Sequence, residues 1–189
     1  MIKKDFYSRK AKQEGYLARS VYKLKQLNKK YNLIKKNDQI LDLGCFPGGW
    51  IQCALETVGD RGNVAGIDLN DVKVKNKNFS FYKIDAFSDD IFNIGNKFDA
   101  VLSDMAPKTT GIKDLDRARS AKLAYRALEI AKKKLKPSGN FLAKVFQGED
   151  FIGFLNECKK HFNFVKSDKP EASKRKSVEM YVVCKNFRA

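Results

Sequence analysis

Lys144 sits in an unusual place for a lysine, inside the apolar run Phe141-Leu-Ala-Lys-Val-Phe146. A lysine is almost never fully buried unless it is paired. Asp104, in the segment Leu102-Ser-Asp-Met-Ala-Pro107, is the acid placed to be that partner. Desolvation or nearby cations lower a lysine's pKa from its reference of about 10.4 and allow it to take a proton. Lys23, in a basic segment near the start of the chain, is expected to be such a neighbour. A base of this kind suits transfer of a group to a hydroxyl, which must be aligned and relieved of its proton. On these residues alone, a lysine snorkelling from a strand edge explains the pattern equally well.

A second constellation surrounds a glycine-rich turn, Ile40-Leu-Asp-Leu-Gly-Cys-Phe-Pro-Gly-Gly-Trp50. Glycine supports positive φ and close approach of backbone to a ligand. Neither G-x-G-x-x-G nor G-x-x-x-x-G-K-[ST] is present, which disfavours a pyrophosphate cradle and a nicotinamide oxidoreductase. Asp42 would repel phosphate and suits a cationic ligand such as S-adenosylmethionine, which carries an ammonium and a sulfonium. Asp68 is placed like the carboxylate that holds ribose hydroxyls in doubly wound nucleotide sites. Asp85 is suited to an adenine amino group, and Asp104 ends a further strand. Any one of these acids reads as a helix cap or turn acid. Four at successive strand ends of a basic chain point to an adenosine-type ligand. The expected cofactor-binding residues are Asp42, Gly44, Pro47, Gly48, Gly49, Trp50, Asp68, Asp85 and Asp104.

These residues need elements to hold them. Strands are expected at Gln39–Leu43, Asn63–Ile67, Phe79–Ile84, Ala100–Ser103, Phe141–Phe146 and Met180–Cys184. Helices are expected at Leu17–Lys30, Trp50–Val58, Leu115–Leu135 and Phe151–Phe162, from apolar residues at three- and four-residue intervals. Alternating strands and helices predict an α/β domain with a largely parallel sheet and helices on both faces. Ligands of such folds bind at the carboxyl ends of the strands.

Bulk properties narrow the partner. The 38 Lys and Arg against 22 Asp and Glu give a net charge of +16, which favours a polyanion, with RNA as the expected partner. Residues 1–36 form a basic arm with twelve Lys and Arg against Asp5 and Glu14. The 189 residues fit one domain, and a monomer is expected. No apolar run is long enough to span a bilayer. The start has no secretory h-region, so the expected compartment is the cytoplasm, or an organelle if a leader has been removed. Four cysteines without a CxxC pair and a single histidine, His161, argue against a zinc site and a Ser-His-Asp or Cys-His hydrolase. No metal is expected, and the thiols are expected buried and reduced.

Five motifs, in order along nearly the whole chain, resemble the FtsJ/RrmJ family of ribose 2′-O-methyltransferases. They are Ala18-Arg-Ser-Val-Tyr-Lys-Leu24, Leu41-Asp-Leu-Gly-Cys-Phe-Pro-Gly-Gly-Trp50, Leu102-Ser-Asp-Met-Ala-Pro107, Ala143-Lys-Val-Phe-Gln-Gly-Glu149 and Lys169-Pro-Glu-Ala-Ser-Lys-Arg-Lys-Ser-Val-Glu-Met-Tyr181. The resemblance implies the class I S-adenosylmethionine-dependent methyltransferase fold, a seven-stranded, mostly parallel sheet whose last strand is antiparallel. It implies a catalytic set of Lys23, Asp104, Lys144 and Glu179, with Lys144 the proton acceptor and Glu179 positioning the target nucleotide. Its cofactor contacts fall on Gly48, Trp50, Asp68, Asp85 and Asp104. Cys45-Phe46 departs from the two small residues common in relatives, and Phe46 is expected to reshape the pocket. The implied acceptor is a uridine in large-subunit ribosomal RNA. The alternatives are the tRNA anticodon loop and a catalytically silent RNA-binding module in ribosome assembly.

Overall fold

The computed structural model describes residues 6–95, 97–174 and 176–189. Lys3, Lys4 and Asp5 of the basic arm, and Arg175 of the fifth motif, lie outside the described residues. In chain order the elements are α1 (Phe6–Gln13), α2 (Val21–Tyr31), β1 (Gln39–Leu43), α3 (Gly49–Val58), β2 (Asn63–Ile67), β3 (Phe79–Tyr82) and β4 (Phe98–Ser103). There follow α4 (Lys113–Lys134), β5 (Leu135–Phe146), α5 (Asp150–His161), β6 (Phe162–Asp168) and β7 (Glu179–Phe187).

The strands form one seven-stranded sheet in the order β3-β2-β1-β4-β5-β7-β6. Pairing is parallel from β3 through β5, and β7 runs antiparallel to both β5 and β6. This is the class I methyltransferase architecture that the resemblance implies. Strand order reverses between β1 and β4, so the loops at their carboxyl ends part there and leave a crevice. The central strands are apolar on both faces because each face is covered. Leu41, Leu43 and Val101 pack with α4 and α5. Ile40, Ala100 and Leu102 pack with α2 and α3 on the other side.

Three differences from the sequence reading have physical causes. Helix α2 begins at Val21 rather than Leu17, because the residues from Ala18 enter it through i→i+3 turns: Val21 N–H donates to the Ala18 carbonyl at 3.2 Å and Lys23 N–H to the Ser20 carbonyl at 3.0 Å. Val21, Leu24, Leu27 and Tyr31 form the buried apolar stripe of this helix. Phe162, expected to end a helix, starts β6 instead, pairing with Phe187 and packing on the Phe141 and Phe187 rings. Finally, β5 begins at Leu135, ahead of Pro137-Ser-Gly, and its pairing with β4 shifts register between Phe98 and Ala100. All four cysteines are free and buried.

Candidate active site

The glycine-rich turn joins β1 to α3 at the crevice. Gly44 has φ +75°, and a Cβ there would lie 2.6 Å from Met105 Cγ. Side-chain size is therefore excluded where the ends of β1 and β4 approach. A cleft of about 410 Å³ opens at this point, with Gly44, Phe46, Asp68, Asp85, Asp104 and Met105 among its lining residues. The strand-end acids Asp68, Asp85 and Asp104 are thus brought together. Asp68 is held in place by its surroundings: Oδ2 accepts from the Phe46 backbone N–H at 3.0 Å and Oδ1 from Asn70 N at 2.8 Å. Asp85 Oδ1 accepts from Phe87 N at 2.9 Å. The turn-acid and cleft-wall readings are therefore both realised in the same residues.

Asp42 differs from the other three. It is fully buried within β1, and neither carboxylate oxygen has a hydrogen-bond partner among the described residues. Burial, then the nearby charges of Asp104 and Asp68, push its carboxyl well above the usual range. Pro47, Gly48, Gly49 and Trp50 do not line the cleft. At Gly48, with φ +116°, a Cβ would lie 2.7 Å from Val74 Cγ2 and 2.9 Å from Leu17 Cδ1; at Gly49 it would lie 3.2 Å from Ala18. These two glycines let other parts of the chain press against the turn. Trp50 is only 3% exposed, and its indole N–H donates to the Ser20 carbonyl at 2.9 Å.

The catalytic candidates gather on β5, β7 and α2. Lys144 is 5% exposed. Its Nζ donates to the Asp104 carbonyl at 2.5 Å and lies 3.0 Å from Asp104 Oδ1. The same Oδ1 accepts a hydrogen bond from the fully buried Tyr181 at 2.8 Å. Lys23 Nζ pairs with Glu179 Oε2 at 2.7 Å and lies 5.5 Å from the Tyr181 ring centroid. Lys23 is therefore tied to Glu179 and to the ring of Tyr181, whose hydroxyl holds Asp104. Burial works to raise the Glu179 carboxyl, but the hydrogen bond and charge of Lys23, with Lys144 and Ser177, hold it below its usual value. Asp104 belongs to both constellations, since it lines the cleft and holds Lys144.

Several lining residues escaped the sequence reading. Met105 and Leu123 line the cleft; Met105 follows directly on Asp104, whereas Leu123 comes from the middle of α4 with no local signal. Tyr181 carried a usable signal, since residues two apart on β7 share a face and place it beside Glu179. Phe46 lines the cleft and is exposed at its rim, as its departure from the family pattern suggested. Among the described residues no cluster of His, Cys, Asp and Glu is placed to hold a metal.

A family model described as FtsJ-like methyltransferase matches residues 16–187. A Desulfatibacillum aliphaticivorans protein named ribosomal RNA large subunit methyltransferase E is 45% identical over 184 residues, covering 95% of this chain and 89% of the relative. A crystal structure from Plasmodium falciparum, described as a ribosomal RNA methyltransferase, superposes with TM-score 0.79 at 30% identity, over 91% of this chain and 98% of that one. The fibrillarin/Nop5p complex matches with TM-score 0.64 at 18% identity, over 87% and 81% of the two chains, and supports the fold alone.

Proposed function

The chain belongs to the FtsJ-like methyltransferase family, and on that premise we propose that it methylates a ribose 2′-hydroxyl of large-subunit ribosomal RNA, with a uridine as acceptor. The observation that carries this reading is Lys144, a buried lysine held at two points by an aspartate that also lines the cleft.

The residues present suit S-adenosylmethionine. Asp68, Asp85 and Asp104 line the cleft with acidic side chains in a chain of net charge +16, which favours a cationic ligand over a phosphate. Asp68 would take the ribose hydroxyls and Asp85 the adenine end. When bound, this cofactor supplies a methyl group made electrophilic by its sulfonium. Lys144 accepts the proton of the 2′-hydroxyl, and Asp104 fixes the amine and stabilises the ammonium that results. Lys23 and Glu179, as an ion pair at the edge of the site, orient the target nucleotide. Alignment of hydroxyl and methyl supplies much of the rate, because positioning replaces a bimolecular encounter.

All four catalytic candidates come from one chain, in keeping with a monomer. No helix among the described residues is long and apolar enough to cross a membrane. The test offers methyl-labelled cofactor with undermodified large ribosomal subunits and, separately, unmodified tRNA. Label in the ribosomal RNA is expected. Label in tRNA alone would move the substrate to the anticodon loop, and label in neither, despite cofactor binding, would favour the silent assembly module.

A further inference from the structure

Helix α3 grips the basic arm through three side chain–backbone hydrogen bonds. The Gln52 amide bridges two backbone groups: Nε2 donates to the Gly15 carbonyl at 3.1 Å, and Oε1 accepts from Leu17 N at 2.8 Å. Two residues earlier, Trp50 Nε1 donates to the Ser20 carbonyl at 2.9 Å. That carbonyl also accepts the backbone N–H of Lys23 at 3.0 Å. Ser20 makes no side-chain cap for α2, so the entry of the helix that carries Lys23 is fixed from α3. The Trp50 ring lies 6.0 Å from that of Tyr181, whose hydroxyl holds Asp104 and whose ring neighbours Lys23. Gly49 permits this approach, since Ala18 lies against it. Neither Trp50 nor Gln52 lines the cofactor cleft.

We infer that Trp50 and Gln52 are positioning residues: from α3 they hold the backbone of residues 15–20 and so set Lys23 against Glu179. The inference rests on the reading of Lys23 as a member of the catalytic set. It replaces a direct cofactor contact for the Trp50 side chain with a structural strut between the cofactor turn and the arm. Coupling of this kind makes the geometry of the RNA-side lysine depend on the helix that starts at the cofactor turn.

The test is a double-mutant cycle on the full chain, read as single-turnover methyl transfer at saturating cofactor and RNA, with cofactor affinity measured by calorimetry. Trp50→Phe keeps a ring against Tyr181 and removes the N–H. It is expected to slow transfer about tenfold, because small misplacements of a catalytic group are costly, while the cofactor Kd stays within about twofold. Gln52→Met, at a half-buried site, is expected to slow transfer in the same direction by a smaller factor and covers the case in which Trp50→Phe fails to fold. In a Lys23→Met background neither change should slow transfer further. Weakened cofactor binding with an unchanged transfer rate would overturn the inference and restore the cofactor contact. Equal losses in both backgrounds would overturn it too, as a role independent of Lys23. A Lys23→Met enzyme working at the wild-type rate would instead remove the catalytic reading on which the inference stands.

Discussion

Asp104 illustrates how much one side chain does here. It lines the cleft, receives Tyr181, and pins Lys144 through both its carbonyl and its carboxylate. Its double duty was legible only in part: the sequence offered Lys144 as a buried lysine and Asp104 as its partner, while Tyr181 emerged from the fold. Lys23 was expected as a cation beside Lys144; the contacts it makes are with Glu179 and the face of the Tyr181 ring. The pair with Glu179 has a measurable consequence. A carboxyl held below its unfolded value adds stability above that value and loses it as pH falls through the folded value. Wild type should therefore exceed Glu179→Gln in denaturant stability at neutral pH, with the difference shrinking as pH drops below about 4.5, the ordinary value for the group. A difference that grows on acidification would refute the pairing.

At the scale of elements, the glycine-rich turn divides its labour. Gly44 and Phe46 face the cleft, whereas Gly48 and Gly49 face Leu17, Ala18 and Val74. The motif announced a ligand loop, but a motif cannot say which glycine serves backbone approach to a ligand and which serves packing inside the chain. That distinction depends on the segments at 17–18 and 72–74, remote in sequence. Gly48→Ala should cost stability by about 1–3 kcal/mol, through positive φ and overpacking against Val74 and Leu17. Thermal unfolding would show it as a lowered Tm, and an unchanged Tm would contradict the packing role. Strands β1 and β2 matched their expected bounds because buried parallel strands are short apolar runs bracketed by turns. Strand β6 was missed because its Phe162-Asn-Phe-Val continues the apolar rhythm of α5. Only tertiary pairing with β7 decides between the two states. Helix α1, a short polar segment with Ala11 alone buried, offered no apolar stripe to read.

Over the whole molecule, the charge of +16 divides into lysines that hold the fold and lysines that face solvent. Within the arm, Lys25 pairs with Glu56, Lys30 with Asp168 and Lys23 with Glu179. Composition counts all of these alike, so the sequence overstated the free basic surface of residues 1–36. Lys12, Lys29 and Lys36 are exposed and make no ion pair among the described residues. Replacing these three with Gln should weaken RNA binding and lower the slope of log affinity against log salt by about 0.7–0.9 for each phosphate left without its lysine. Cofactor affinity should stay the same, since none of the three borders the cleft. A slope equal to wild type would place the RNA on another face.

Two atoms define the proposed reaction: the ribose oxygen that receives the methyl group and the Lys144 nitrogen that takes the proton. The most direct measurement is nuclease digestion of ribosomal RNA after incubation with methyl-labelled S-adenosylmethionine, followed by identification of the labelled nucleoside, for wild type and for Lys144→Ala. Wild type should yield label only on a ribose 2′-oxygen. Lys144→Ala should transfer about 10²- to 10⁴-fold more slowly, the usual contribution of a positioned base, while binding the cofactor as before. Label on a nucleobase would rule out ribose methylation, and a Lys144→Ala enzyme that transfers at the wild-type rate would rule out Lys144 as the base.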